Sequence, residues 1–272
     1  MKTAMPYKLI AMDLDGTLNN DQKTIDAPTL NALLDAQHHG IRLLLASARP
    51  LPGLYKERDT LRLTANHGIL MAYNGGLIVD ATDGSVLSSN TMNMEDARRV
   101  LHHLESLPVT PILDDGKVFY VTDKNGYKVE YECWNNRMEC VEVDNLAAFL
   151  SFSPCKILMS VEPSIIKLTQ NRIAALLPAG LTVVQTAPFY LEVIPAAINK
   201  GVGLRMACEA IGIDTSEVIA FGDSENDIEM LRVAGMGVAM GNAGEEVKMA
   251  ADMATESNND NGIAVALGRL LG

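Results

Sequence analysis

Positive charge is scarce in this chain. Its 22 lysines and arginines stand against 34 aspartates and glutamates in 272 residues, a formal net charge of -12. That balance argues against a nucleic-acid groove or an anionic membrane surface as partner. It leaves an anionic small substrate open, because a local metal and one or two bases can reverse the potential inside a cleft. Cysteine is scarce too: Cys133, Cys140, Cys155 and Cys208 include no Cys-x-x-Cys pair and no neighbouring histidine at zinc spacing, which argues against a structural zinc site. Reduced thiols in a cytosolic protein are the simplest account. No apolar run reaches membrane-spanning length, and the stretch after Tyr7 is short, contains Lys8 and ends at Asp13 without a small-residue cleavage site. These absences predict a soluble cytoplasmic protein.

The chain does have apolar residues, 48% of the total, enough to fill a sizeable core. Lys8 to Asp13 reads as a strand, Leu30, Leu33 and Leu34 recur at helical spacing between Pro28 and Gly40, and Ile41 to Ala46 reads as a buried strand. Pro52 to Leu61 suggests a short helix, and Ile69 to Tyr73 a strand ending at Asn74-Gly75-Gly76. Leu191 to Ile194, a helix from Gly201 to Ile211, Val218 to Gly222, a helix from Glu225 to Val233, and Gly237 to Met240 repeat the alternation. Apolar strands alternating with helices predict an α/β fold with a Rossmann-like parallel sheet. The texture differs between about Thr82 and Thr186, where Val118 to Thr122 and Tyr127 to Glu132 read as a hairpin about Asn125-Gly126. Two apolar-faced helices flank it, one with Ala97, Val100, Leu101 and Leu104, the other with Ile166, Ile173, Leu176 and Leu177. The expected organisation is a discontinuous core, 1-82 and 187-272, interrupted by an inserted α+β cap domain, 83-186.

Four polar clusters fall just past apolar strands, where α/β folds place their sites, or at the head of a helix. Asp13-Leu14-Asp15-Gly16-Thr17 sets two carboxylates on one face of a strand end; alone it could equally be an acidic turn. Ser47-Ala48-Arg49 could be a helix cap, Asn199-Lys200-Gly201 a solvated helix start, and Gly222-Asp223-Ser224-Glu225-Asn226-Asp227 an acidic first turn. Four such coincidences are hard to dismiss. Calcium loops fail, since with Asp13 as the first place the sixth and twelfth are Leu18 and Thr24, and with Asp223 as the first the sixth is Ile228. A dinucleotide fingerprint fails because Gly201/Gly203 and Gly235/Gly237 lack their third glycine, at Met206 and Met240. The five histidines read as helix-end or surface residues, and Trp134, Glu130, Glu132 and Arg137 could line a sugar pocket or be cap surface.

In this order and spacing the motifs resemble the haloacid dehalogenase superfamily, and the inserted module resembles the cap of its Cof-type sugar-phosphatase branch. Asn74-Gly75-Gly76 and Gly241-Asn242-Ala243 are supporting matches. The resemblance implies a Mg2+-dependent phosphatase of small phosphorylated metabolites, sugar phosphates foremost, with the cap choosing the substrate. It implies Asp13 as nucleophile, Asp15 as general acid and base, and Ser47 and Lys200 on the phosphoryl group. Ala48, Asn74, Gly75 and Asn226 would complete the substrate pocket, and Asp13, Asp15 through its backbone carbonyl, Asp223 and Asp227 would form the metal site. An acid at position 15 departs from the related ion-pumping ATPases, which have threonine there. Ala48 departs from the family's usual glycine, and a Cβ there would cost on the order of 1 kcal/mol if the backbone needed a positive φ. A sugar phosphomutase or a non-catalytic sensor of a phosphorylated ligand are the alternatives on the same core.

Overall fold

The computed structural model describes residues 7–272. The chain divides into two compact units. The first takes residues up to Ala48, Leu54–Ser89 and Asn199–Gly272; the second takes Arg49–Gly53 and Asn90–Ile198.

The first unit starts with β1 (Leu9–Asp13), α1 (Ala27–His38), β2 (Arg42–Ala46), α2 (Tyr55–Thr60), β3 (Ile69–Ala72), β4 (Leu77–Asp80) and β5 (Val86–Ser89). The second unit carries α3 (Met94–Leu104), β6 (Thr110–Asp114), β7 (Val118–Val121), α4 (Val129–Asn136), β8 (Glu139–Glu142), α5 (Leu146–Phe149), β9 (Ile157–Ser160), α6 (Ile166–Ala174), β10 (Leu181–Ala187) and β11 (Tyr190–Pro195). The chain then re-enters the first unit with α7 (Lys200–Ile211), β12 (Val218–Gly222), α8 (Ile228–Val233), β13 (Met236–Ala239), α9 (Glu245–Ala250), β14 (Met253–Ala254) and α10 (Gly262–Leu270). No described helix is long and apolar enough to cross a membrane.

Eight strands form the first sheet in the order β14-β13-β12-β1-β2-β3-β4-β5. All neighbours from β14 to β3 are parallel, and β4 and β5 extend the sheet as antiparallel strands. Every residue of β1, β3 and β12 is buried, which is why these strands read as unbroken apolar runs rather than as alternating ones. The chain winds from β1 outward through β2 and β3, then returns to the other side of β1 at β12. The reversal lies between β1 and β12, and the carboxyl ends of the strands at such a reversal are where open α/β sheets place their ligands. Helix α7 packs close to the turn after β3: a Cβ on Gly203 would come within 2.4 Å of Met71 Sδ and 2.8 Å of the Gly75 backbone.

The second unit has a six-stranded sheet, β10-β11-β9-β6-β7-β8. Three expectations are corrected here. Leu191 to Ile194, expected among the core strands, belongs to β11, which pairs with β9 and β10 in this second sheet. The passages between units consequently fall at Ser89/Asn90 and Ile198/Asn199, because β5 still pairs with β4 while β10 and β11 do not join the first sheet. The expected hairpin about Asn125-Gly126 is absent, since Tyr127 to Glu132 leads into α4 and forms its first half. A two-residue hairpin turn of that kind needs positive φ at both central residues, and neither Asn125 nor Gly126 has it. The Asp123 carboxylate instead accepts from the Asn125 N–H at 2.9 Å, and Val129, Glu132 and Asn136 turn one face of α4 inward. Helix α4 is then the crossover that lets β7 and β8 pair in parallel.

Glu132, read as a candidate pocket residue, faces the interior. Burial raises its carboxyl above the ordinary range, against the pull of Lys156, and Asn136 Nδ2 donates to its Oε1 at 2.9 Å. Lys156 and Glu192 form a buried ion pair at 2.7 Å beside it. Trp134 is exposed.

Replacing Gly203 with alanine is expected to destabilise the protein by about 1–3 kcal/mol through overpacking, since backbone lies on one side of the new methyl. Urea unfolding of Gly203→Ala at constant m-value reads this, and an unchanged midpoint would contradict the close approach.

Candidate active site

Asp13 is the last residue of β1 and lies beside Ala46 at the end of β2; Asp223 follows the last residue of β12. The two acids therefore flank the sheet's switch point. Ser47 follows β2, Asn74 follows β3, and Lys200 opens α7, whose Asn199 side chain caps the helix by accepting from the Val202 N–H at 2.9 Å. The Glu225–Asp227 turn runs into α8 and turns Asp227 back toward the strand end.

Lys200 has no solvent exposure, and its Nζ donates to Asp13 Oδ1 at 2.5 Å and to Asp227 Oδ1 at 2.6 Å. Asp227 Oδ2 accepts from the backbone N–H groups of Asp223 and Ser224, at 3.1 and 3.0 Å. Both of its oxygens are thus occupied in holding the lysine and the Asp223 loop. The Thr17 hydroxyl donates to Asp223 Oδ1 at 2.7 Å, and the Ser224 hydroxyl to Oδ2 at 3.2 Å. Gly16, with φ +86°, makes this possible: a Cβ there would lie 2.5 Å from Asp223 Oδ2.

Burial lifts the Asp13 carboxyl to about 8, against the pull of the Lys200 ammonium and with added repulsion from Asp227 and Asp223. Burial likewise raises Asp223. Desolvation favours neutral Lys200, but Asp13 and Asp227 outweigh it and keep the ammonium protonated above its ordinary range. One oxygen each from Asp13, Asp223 and Asp227 lie within 4.8 Å of one another. Three carboxyl groups share one ammonium, so ionising all of them would leave an excess of negative charge on hard oxygen donors. That set fits a small divalent cation.

The other expected residues fall into a second group on the same strand ends. Ser47 is buried; its N–H donates to Met71 O and its carbonyl accepts from the Asn74 N–H, both at 2.9 Å. Asn226 Nδ2 donates to Asn74 Oδ1 at 3.1 Å, tying the β12 loop to the β3 loop. Tyr73, Asn74 and Gly75 all have positive φ, a strained turn of the type that gathers at functional sites. Ala48 does not have positive φ, so its Cβ carries no left-handed strain and the anticipated penalty does not arise.

Asp15 does not join the three-carboxylate cluster. Its Oδ1 pairs with Lys23 Nζ at 2.5 Å. Three contributors escaped the sequence reading of the site. Thr17 was visible as the fifth residue of the opening motif, and Asn242, whose Nδ2 donates to Gly16 O at 2.8 Å, as part of a supporting match. Lys23 carries no motif signal at all.

A carboxyl whose folded pKa is raised stabilises the fold in full below its unfolded value and loses that contribution as pH rises through the folded value. Asp13 moves from 3.8 to about 8, so metal-free protein is expected to lose thermal stability across that window. Thermal melts in chelator should show a shallower decline for Asp13→Asn than for the parent. Parallel curves would contradict the buried, cation-deficient setting of Asp13.

Known proteins resemble this chain over nearly its whole length. The family described as haloacid dehalogenase-like hydrolase matches residues 10–267. The chain is 32% identical over 273 residues to the 5-amino-6-(5-phospho-D-ribitylamino)uracil phosphatase YbjI of Escherichia coli, covering 98% of this chain and 97% of that protein. It is 29% identical to phosphatase YwpJ of Bacillus subtilis, covering 97% of this chain and all of the other. Among solved structures, a haloacid dehalogenase-like hydrolase from Bacteroides thetaiotaomicron superposes with a TM-score of 0.92 at 33% identity, over 97% of this chain and 99% of its own. With strand-end acids, a buried lysine and a family match over nearly its whole length, the chain belongs to the haloacid dehalogenase-like hydrolases.

Proposed function

We propose that this chain is a magnesium-dependent phosphatase of small phosphorylated metabolites, sugar phosphates foremost, working through an aspartyl phosphate on Asp13. The observation that carries the reading is the Lys200 bridge between Asp13 and Asp227, set within a carboxylate cluster at the sheet's switch point. Lys200 engages Asp13 through Oδ1, which turns the role of nucleophile to Oδ2. That oxygen attacks phosphorus in line, forming the Asp13 O–P bond as the bond to the substrate oxygen breaks. Asp15 gives its proton to the departing oxygen, then takes one from the water that attacks the aspartyl phosphate and releases inorganic phosphate.

Ser47 is assigned to donate a hydrogen bond to a phosphoryl oxygen, with Ala48, Asn74, Gly75 and Asn226 lining the same pocket. Lys200 offsets charge on the phosphoryl group and among the carboxylates. Asp13, Asp223 and the Asp15 backbone carbonyl are assigned to magnesium, with Asp227 supporting them because its own oxygens already accept hydrogen bonds. Bound magnesium would supply positive charge to offset that of the phosphoryl group and would favour the ionised form of Asp13 at neutral pH. The Escherichia coli relative's named substrate, a phosphorylated ribityl chain on a uracil ring, supports the small-metabolite class and belongs in any substrate panel.

Asp13→Asn is expected to abolish hydrolysis of 4-nitrophenyl phosphate, and EDTA to do so reversibly, with activity returning on added magnesium; full activity in either test sinks the mechanism. Asp15→Asn is expected to slow sugar phosphates by about a hundredfold to ten-thousandfold and aryl phosphates less, since a phenolate leaves with less help. Equal losses on the two classes argue against Asp15 as the proton donor. Released phosphate, measured with magnesium across phosphorylated sugars, polyols, nucleotides and cofactors, is expected to favour the sugar and polyol esters.

A further inference from the structure

The geometry points to Lys23 as the positioning residue for Asp15, holding that carboxylate where it meets the leaving group; we infer this on the basis of the proton-transfer role proposed for Asp15. Lys23 Nζ lies 2.5 Å from Asp15 Oδ1, and both side chains are partly open to solvent. An exposed lysine–aspartate pair adds little to stability, so stability alone does not account for what surrounds this one.

The loop is built to present that ammonium. Lys23 has φ 57°, a left-handed conformation that a long side chain rarely takes. Buried Asn20 imposes the bend. Its Oδ1 accepts from the Gln22 N–H, the Thr24 N–H and the Thr24 hydroxyl at 3.0, 3.1 and 3.0 Å, and its carbonyl accepts from the Lys23 N–H at 2.9 Å. Asn20 Nδ2 in turn donates to Asp26 Oδ1 at 2.9 Å. The Lys23 carbonyl is itself held by the Lys56 ammonium from α2. From the other side, Asn258 Nδ2 donates to Asn19 O at 3.0 Å, and the Asp21 N–H donates to Asn259 Oδ1 at 3.1 Å.

The loop is therefore anchored at α2 and at the Asn258–Asp260 turn, with a strained lysine at its tip aimed at one catalytic carboxylate. Strain held in place by a fully bonded surround is the pattern expected where position serves chemistry. A proton donor displaced by an ångström loses much of its advantage, and a fixed ammonium is a means of preventing that displacement.

The experiment compares the parent protein, Lys23→Met, Lys23→Arg, Asp15→Asn and the Lys23→Met/Asp15→Asn double variant with magnesium. The two substrates are phenyl phosphate, whose leaving group needs a proton, and 4-nitrophenyl phosphate, whose leaving group needs it less. Lys23→Met is expected to lower kcat on phenyl phosphate by about tenfold and on 4-nitrophenyl phosphate by about threefold or less, with KM unchanged on both. Lys23→Arg is expected to restore most of the difference. Added to Asp15→Asn, Lys23→Met is expected to have no further leaving-group effect, because a residue that acts through another has nothing left to act on.

Equal losses on both esters, a change confined to KM, or a leaving-group effect that persists in the Asp15→Asn background each overturn the proposal. If Asp15→Asn itself slows both esters alike, the acid role of Asp15 fails and the Lys23 proposal falls with it. If Asp15→Asn discriminates between the esters and Lys23→Met does not, the Lys23 proposal alone is overturned.

Discussion

An ammonium with no access to water must find its counter-charges inside the protein, and Lys200 has two, Asp13 and Asp227. The rest of the site depends on this bridge. Carboxylates at neighbouring strand ends repel one another, and in a desolvated setting that repulsion favours protonation or displacement. A lysine on the first residue of α7 answers the repulsion from within the fold, and its own charge is secured by the acids it serves. Removing one member of such a set leaves an uncompensated buried charge, which is generally far more costly than the net worth of the intact pair. The bridge does not return Asp13 to its ordinary range: burial, with added repulsion from Asp227 and Asp223, still holds its carboxyl above it.

Backbone geometry brings the bridge into being. Parallel pairing of β1 with both β2 and β12 aligns the carboxyl ends of three apolar strands, so residues far apart in the chain arrive at one edge. Gly16 admits Asp223 to within contact of the β1 turn, Thr17 binds it there, and Asp227 fixes the loop that carries it. The second unit has its own polar interior, built on the Lys156–Glu192 pair with Glu132 beside it. It too meets buried charge with paired charge.

Much of the first unit was legible because its physics is local. Strands covered on both faces are unbroken apolar runs, and helices between proline or asparagine starts and glycine ends announce their limits; β1, β2, β12, α1 and α7 all follow these rules. The second unit was harder to read. Tyr127 to Glu132 has residues suited to a strand, and Asn125-Gly126 favours a hairpin, yet an Asp123 side-chain turn sends the chain into α4. Leu191 to Ile194 is apolar enough for either sheet, and only its pairing with β9 and β10 assigned it. Lys23 resembles any surface lysine in a polar loop, because the bonds that fix it come from Asn20, Lys56, Asn258 and Asn259, across some 240 residues of chain.

The sequence by itself determined the chemical inventory and its placement at strand ends: Asp13, Asp15, Ser47, Lys200, Asp223 and Asp227 each follow from an apolar run that stops or a helix that starts. These are consequences of burial and periodicity over a few residues. Tertiary structure alone decided which acids share the Lys200 ammonium, which one pairs with Lys23, and which sheet receives β11. Those outcomes rest on distances between groups remote in the chain, and on desolvation that exists only once the strands are paired.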